Sequence, residues 1–277
     1  MATELDRPSI WMQDLTWQEV GGYLRREDRI VLLPVGTTEQ HGPAGPCGLD
    51  TYVAIALAED TARRTGVLCA PPLWYGDSSH HTAFPGTISL RTETLMLVVR
   101  DICRTLARHG FNRIVIINGH KGTNLPALTT TVRNLHEEEL PEVLFAVADP
   151  LQLARSVGHA IKETNEHHAG ELEMSHILYK HPKLIRTDRL TTDQVDFPGL
   201  FGGFVGDDLF GPGPDGVDIP WSSHEQRAFT PSGSFSPSAE KGRTYHDHMV
   251  DRLCALVDWL RTSHGPIGQA TTGTQEH

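Results

Sequence analysis

Three short stretches of the sequence concentrate acids and imidazoles where an element ends or begins. Glu39 and His41 stand in Gly36-Thr37-Thr38-Glu39-Gln40-His41-Gly42-Pro43, and Asp50 follows nine residues after His41. A second imidazole, His120, closes Asn118-Gly119-His120, and a third cluster reads His167-His168-Ala169-Gly170-Glu171-Leu172-Glu173. Singly these are weak signals, because an acid beside a histidine is usually a satisfied loop or capping residue. Together, Glu39, His41, Asp50, His120 and Glu171 supply two imidazoles and three carboxylates. That N/O set suits Zn²⁺, Mn²⁺ or Fe²⁺ rather than a sulfur-bound structural ion. Five ligands exceed what one tetrahedral site uses, and fit two ions sharing a bridging carboxylate at roughly 3.5–4 Å separation.

The elements that must position these residues follow from periodicity. Thr16 and Glu19 form a capping-box pattern that starts a helix over Trp17 to about Arg26. The apolar run Ile30 to Val35, ended by Gly36, reads as a strand buried on both faces, as in a parallel sheet. A helix over Thr51 to Thr65, a strand over Val67 to Ala70, a helix over Thr92 to His109 and a strand over Arg113 to Ile117 follow. A helix from Asn124 to about Glu138, a strand over Val143 to Ala148 and a helix over Gly170 to Tyr179 complete the alternation. It predicts an α/β fold with a mostly parallel sheet and right-handed crossovers. In such a sheet ligands bind at the C-terminal strand ends, where Glu39, His41 and His120 fall. The Gly- and Pro-rich stretch 198–216 predicts a long loop, read equally as a surface excursion or as a lid or subunit contact. A helix over Ala239 to Arg261 precedes a polar tail over 266–277 that is expected to be disordered, leaving one domain over 1–265.

Composition narrows the partners. The net charge of -11 would repel a phosphate backbone and an anionic membrane surface, so neither nucleic acid nor membrane is expected as a partner. No apolar run is long enough to span a bilayer, and the first residues lack the pattern of a signal peptide, which predicts a cytoplasmic protein. The four cysteines are scattered without a C-x-x-C, so reduced thiols are expected.

Further motifs make the sequence similar to the creatininase (creatinine amidohydrolase) family. They are Thr16-Trp17, Pro34 to Pro43 with Asp50, Gly76-Asp77-Ser78-Ser79-His80-His81 leading to Phe84-Pro85-Gly86-Thr87, Asn118-Gly119-His120, His168 to Ser175, and Ala239-Glu240-Lys241-Gly242. The resemblance implies a three-layer α/β/α fold with a mostly parallel central sheet. It also implies a dinuclear metal centre, hydrolysis of amide-type C–N bonds, and a homo-oligomer, often a hexamer built from dimers. Carried over by position, it places Glu39 and His120 on one metal, His41 and Glu171 on the other, and Asp50 between them. Creatininase proper carries a carboxylate two residues after the His of Asn-Gly-His. Gly122 stands there in this chain, so Glu171 is the natural replacement, and this departure points away from creatinine. Two more departures, Ala44 to Leu49 before the aspartate and the one-residue shift of Asn124, line the expected substrate side.

The resulting expectation is a metal-dependent hydrolase of a C–N amide bond in a small or peptide-like substrate. It would use two divalent ions per subunit, Zn²⁺ first and Mn²⁺ or Fe²⁺ next, with a hydroxide bridging them as nucleophile. His168, three residues before Glu171, is expected on the same helical face as a proton shuttle, with Glu173 as a second catalytic candidate. Ser78, His81 and Lys121 are the candidate substrate contacts. Cys47 is read as a wall-lining or buried thiol, and His246-Asp247-His248 as a solvated face. The competing reading is a non-hydrolytic metal- or ligand-binding protein on the same scaffold. Three carboxylates that are costly to bury without a cation argue against it. Serine-hydrolase, P-loop, dinucleotide-binding and H-E-x-x-H motifs are absent.

Overall fold

Four parallel strands form the central sheet: β1 (Ile30–Val35), β2 (Leu68–Cys69), β3 (Arg113–Asn118) and β4 (Leu144–Ala148), in the order β2-β1-β3-β4. This computed structural model describes residues 7–190, 203, 208–210, 219–220, 222–224 and 236–263. The expected tail over 266–277 and most of the 198–216 loop lie outside the described residues. Every residue of β1 is buried, which is why its sequence is apolar throughout rather than alternating.

Alternate side chains of the strands feed two cores. Ile30, Leu32, Val115 and Ile117 pack under α2 (Leu49–Thr65), α7 (Glu171–Lys180) and α8 (Ala239–Thr262). Val31, Leu33, Ile114 and Ile116 pack under α1 (Trp17–Tyr23), α3 (Thr92–His109) and α4 (Asn124–Asn134). The architecture is therefore three-layered, α/β/α. The buried face of α2 is rich in small residues, Ala54, Ala58 and Ala62 among them, so this helix can lie close on the sheet.

Local signals decide several boundaries. Thr16 and Glu19 complete the capping box of α1, yet the helix ends at Tyr23, short of Arg26, after the consecutive glycines Gly21 and Gly22. Helix α4 closes in a π-helical turn over Leu135–Glu139. Two short helices missing from the sequence reading, α5 (Pro150–Leu153) and α6 (Arg155–Ile161), follow β4. Asp149 caps α5 by accepting from the Leu151 amide at 3.0 Å, with Pro150 at the first helical position.

Helix α8 presses on α7 so closely that a Cβ at Gly242 would sit 1.9 Å from the Ser175 carbonyl oxygen. Beside this contact a polar chain crosses three helices. His176 Nε2 lies 2.8 Å from His246 Nδ1, and His246 Nε2 lies 2.8 Å from Asp60 Oδ2. Lys180 Nζ reaches the same Asp60 oxygen at 2.6 Å. His246 is thus buried, not part of a solvated face, because the α8 stripe facing α7 and α2 includes it.

The hydrogen bonds from His246 and Lys180 hold the Asp60 carboxyl far below the usual carboxylate range. A depressed folded-state value stabilises the fold above the unfolded value of about 3.9, and that contribution fades as pH falls below it. Asp60→Asn is therefore expected to lower the melting temperature at pH 7, with the gap to the native protein shrinking below about pH 4. A gap that is constant from pH 7 to pH 3 in thermal melts would remove the electrostatic role.

Candidate metal centre

Strands β1 and β3 pair in register from Ile30 with Arg113 to Val35 with Asn118, so they end side by side. The loop after β1 delivers Glu39 and His41, and the turn after β3 delivers His120. Asp50 arrives from the first turn of α2. The approach is tight: a Cβ on Gly119 would stand 1.9 Å from the Asp50 carbonyl oxygen, which only glycine permits.

Asp50 spans the two imidazoles, with Oδ1 at 3.1 Å from His41 Nε2 and Oδ2 at 3.1 Å from His120 Nδ1. The Thr37 hydroxyl donates to Oδ2 and fixes the carboxylate plane. Glu39 is 0% exposed, and among the described residues neither of its carboxylate oxygens has a hydrogen-bond partner. Three imidazole nitrogens nevertheless crowd its Oε1: His120 at 3.2 Å, His81 at 3.4 Å and His168 at 3.6 Å, none aligned to donate. Ligand atoms that converge on a common point instead of on each other are what a cation requires. Two such groupings occur among the described residues, Glu39 with Asp50 and His120, and Glu39 with His41 and His168.

Proton affinities agree with this reading. Burial alone would raise both carboxyls, yet the His120 charge holds Glu39 below its ordinary value, and His41 foremost holds Asp50 well below. Desolvation opposes protonation of the imidazoles, but Asp50 pushes His41 up to about 9 and Glu39 drives His120 well above its ordinary value. The cluster thus gathers protons as cationic partners for its carboxylates, and a divalent ion would take their place.

His168 belongs to this cluster by a different route from the one periodicity implies. Helix α7 begins only at Glu171, after Ala169 at φ +53° and an extended Gly170, so His168 lies on a loop. Its Nε2 donates to the Gln40 carbonyl at 2.6 Å, which leaves Nδ1 unprotonated toward Glu39. Desolvation, then the His41 charge, pushes it down to about 3, so it is a free base at neutral pH. Its ring lies 4.5 Å from that of His41 and stacks at 4.2 Å on His81. His81 is held by the Gln40 amide at 3.0 Å.

Glu171 is not brought to the cluster. Its Oε2 accepts from the Glu163 amide at 2.9 Å, and from the Thr164 amide and hydroxyl at 3.1 Å each; Lys241 Nζ binds Oε1. The reason is helical geometry: with His168 outside the helix, the i, i+3 relation does not apply. Two positions along α7 is a turn of about 200°, so the opposite face belongs to Glu173. Glu173 accepts from the Ala169 amide at 2.8 Å, and burial pushes it up to about 7 against the pull of His41, with Asp50 and Glu39 adding to the rise. Of the two acids in the sequence cluster, it is thus Glu173, two positions after Glu171, whose charge reaches His41. Glu166, also buried, accepts from the Leu172 and Glu173 amides and caps α7; no motif marks it.

Of the candidate substrate contacts, His81 joins the cluster. Ser78 precedes its turn, buried with an unpartnered hydroxyl. Lys121 lines a small inner cavity of about 30 Å³ with Asp149, Glu173, His176 and Tyr245, not the open pocket beside His41. No helix among the described residues is long and apolar enough to cross a membrane.

Fold and site together define a class. The family model for creatinine amidohydrolases matches residues 13–257, and the chain belongs to the creatininase family. It is 31% identical over 205 residues to creatinine amidohydrolase of Pseudomonas putida, covering 69% of this chain and 77% of that protein. It is 35% identical over 172 residues to the mycofactocin precursor peptide peptidase of Mycobacterium ulcerans (strain Agy99), covering 58% of this chain and 62% of the peptidase. A crystal structure of creatinine amidohydrolase matches with a TM-score of 0.74 at 26% identity, over 91% of this chain and 98% of that one. Creatininase structures of this set include a manganese form and a Zn–Zn form.

The duties of Glu39 and Glu171 can be separated by metal analysis. Glu39→Gln is expected to abolish tight Zn²⁺ binding, and Glu171→Gln to keep the native ion content. The second variant should melt several degrees lower, since losing charge-assisted hydrogen bonds costs on the order of 2 kcal/mol. Elemental analysis showing metal loss in Glu171→Gln, with its fold intact by circular dichroism, would return Glu171 to the site.

Proposed function

We propose that the protein is a metal-dependent hydrolase of a C–N amide bond in a small or peptide-like molecule, with two divalent ions per subunit. One observation carries this reading: the fully buried Glu39, both oxygens without a hydrogen bond, faced by three imidazoles and flanked by the spanning Asp50. A buried carboxylate without a hydrogen-bond donor is costly even beside the His120 charge, and a cation would offset that cost. Glu39, Asp50 and His120 would hold one ion. Asp50, His41 and Glu173 would hold the other, with Glu173 in the place first given to Glu171.

Bound ions would supply a water of lowered pKa and polarise the amide carbonyl oxygen. The chain's own residues handle the proton. Gln40 fixes the His168 tautomer, so Nδ1 is free to take a proton from the attacking water and return it to the leaving nitrogen. Zn²⁺ suits the N/O donor set first, Mn²⁺ and Fe²⁺ next. The family match over 13–257 supports one hydrolase domain, for which 1–265 is the reading; a homo-oligomer, a hexamer by resemblance, and a cytoplasmic location are proposed with it.

The test is reconstitution with Zn²⁺ or Mn²⁺ and a mass-spectrometric screen of formamides, lactams and short peptides. Hydrolysis that disappears with chelator and returns with metal is expected; full metal content with no amide cleaved favours the non-hydrolytic binding reading. Creatinine should be turned over poorly, because Gly122 leaves no carboxylate after His120. His168→Ala should keep its ions and lose about 10²–10⁴-fold in kcat with little change in KM. Loss of an ion in that variant would make His168 a ligand instead.

A further inference from the structure

A pocket of about 300 Å³ opens directly beside the ligand cluster, floored by Gln40 and His41. Its walls are Pro43, Cys47, Phe84 and Pro85, side chains that carry no charge. Both walls are braced onto the metal-binding loop. The Gln40 amide donates to Thr87 Oγ1 at 3.1 Å, and the Ile88 amide donates to the Thr38 carbonyl at 2.8 Å. Gly86 turns at φ +94°, and a Cβ there would lie 3.2 Å from Cys47 Sγ, so the turn after Phe84 rests on the opposite wall. On the floor, the Gly42 amide donates to Gln40 Oε1 at 2.8 Å, and the Gln40 amide nitrogen faces His81. The shape is therefore set before a ligand arrives.

Resting on the hydrolase reading above, we propose that this pocket is the subsite for an uncharged, apolar substituent of the scissile amide, a phenyl or branched alkyl group. Among the described residues the pocket walls offer a carboxylate or ammonium no opposite charge, and the one imidazole of the floor, His41, is already committed to Asp50 through Nε2, while Lys121 lines the inner cavity. An apolar ring instead gains the faces of Phe84 and two prolines. The volume exceeds that of a phenyl group, so a second small substituent fits as well. The pocket lies next to His41, which puts the amide carbon of such a substrate over the cluster.

Two measurements test the subsite in the metal-loaded enzyme. In the first, kcat/KM is compared within the pairs formanilide and N-methylformamide, and benzamide and acetamide, with 4-formamidobenzoate as the anionic counterpart of formanilide. At least one aromatic member should lead its partner by about tenfold or more, the anionic compound should fall behind formanilide, and Phe84→Ala should collapse the preference. In the second, iodoacetamide labelling of Cys47 is followed by peptide mass spectrometry, with the half-buried Cys254 of α8 as reference. Benzyl alcohol, which cannot be hydrolysed, should slow labelling of Cys47 several-fold and methanol should not. Equal kcat/KM within both pairs, preference for the carboxylate, or no protection of Cys47 overturns the subsite and leaves the hydrolase reading standing. Failure to cleave any of the amides, simple or aromatic, with both ions bound overturns the hydrolase reading and the substrate assignment with it.

Discussion

A carboxylate sealed from water without a hydrogen-bond donor is among the least favourable groups a folded chain can hold, and Glu39 is such a group. Much of the surrounding structure can be understood as holding it there. The in-register ends of β1 and β3 bring the two ligand-bearing loops together. Gly119 lets α2 slide against the β3 turn until Asp50 reaches both imidazoles. The Glu39 amide itself is tied to the Cys47 carbonyl at 2.8 Å, which fixes the loop that presents the carboxylate. Removing any of these supports would not simply lower stability; it would let the carboxylate find water and disperse the converging nitrogens.

The same constraint explains the acids around the start of α7. Glu166 is buried and Glu173 half-buried nearby, and both carboxyls are pushed up chiefly by desolvation. Glu166 spends its oxygens on two backbone amides at the helix N-terminus, where an acid is favoured. Glu173 accepts from the Ala169 amide, and its charge is felt by His41. Glu171, between them in sequence, is saturated by Lys241 and the 163–164 backbone. Three acids within eight residues thus have different partners, set for Glu166 by its place in the loop before α7 and for Glu171 and Glu173 by the face of the helix each leaves.

Much of the scaffold is legible in the sequence because it rests on local rules. The continuous apolar run of β1, the stripe of α3 and the capping box of α1 each carry their own signal, and β1 and α3 have the predicted bounds. The short helices after β4 were legible too, in Asp149 followed by Pro150, but their length hides them beside a long loop. Glu39, His41 and His120 announce themselves by following strand ends, and Asp50 by opening the helix after β1. Glu171 and His168 do not share a helical face because of a single backbone feature, the left-handed Ala169, which detaches His168 from the helical period. Partners distant in sequence, such as His176 with His246, leave no local mark at all.

Burial does not distinguish the functional histidines from the structural ones; direction does. His176 and His246 are as buried as His41, yet their nitrogens point at one another and at Asp60. With His246 Nε2 on Asp60, its Nδ1 accepts from His176 Nε2, so the His176 ring is satisfied as a neutral donor. Desolvation, which holds His176 well below its ordinary value, favours that state. Around Glu39 the arrangement is reversed: His81, His120 and His168 aim nitrogens at one oxygen at 3.2–3.6 Å without a hydrogen bond among them. The first set holds helices together and needs no ion, whereas the second is incomplete until a cation stands at its focus.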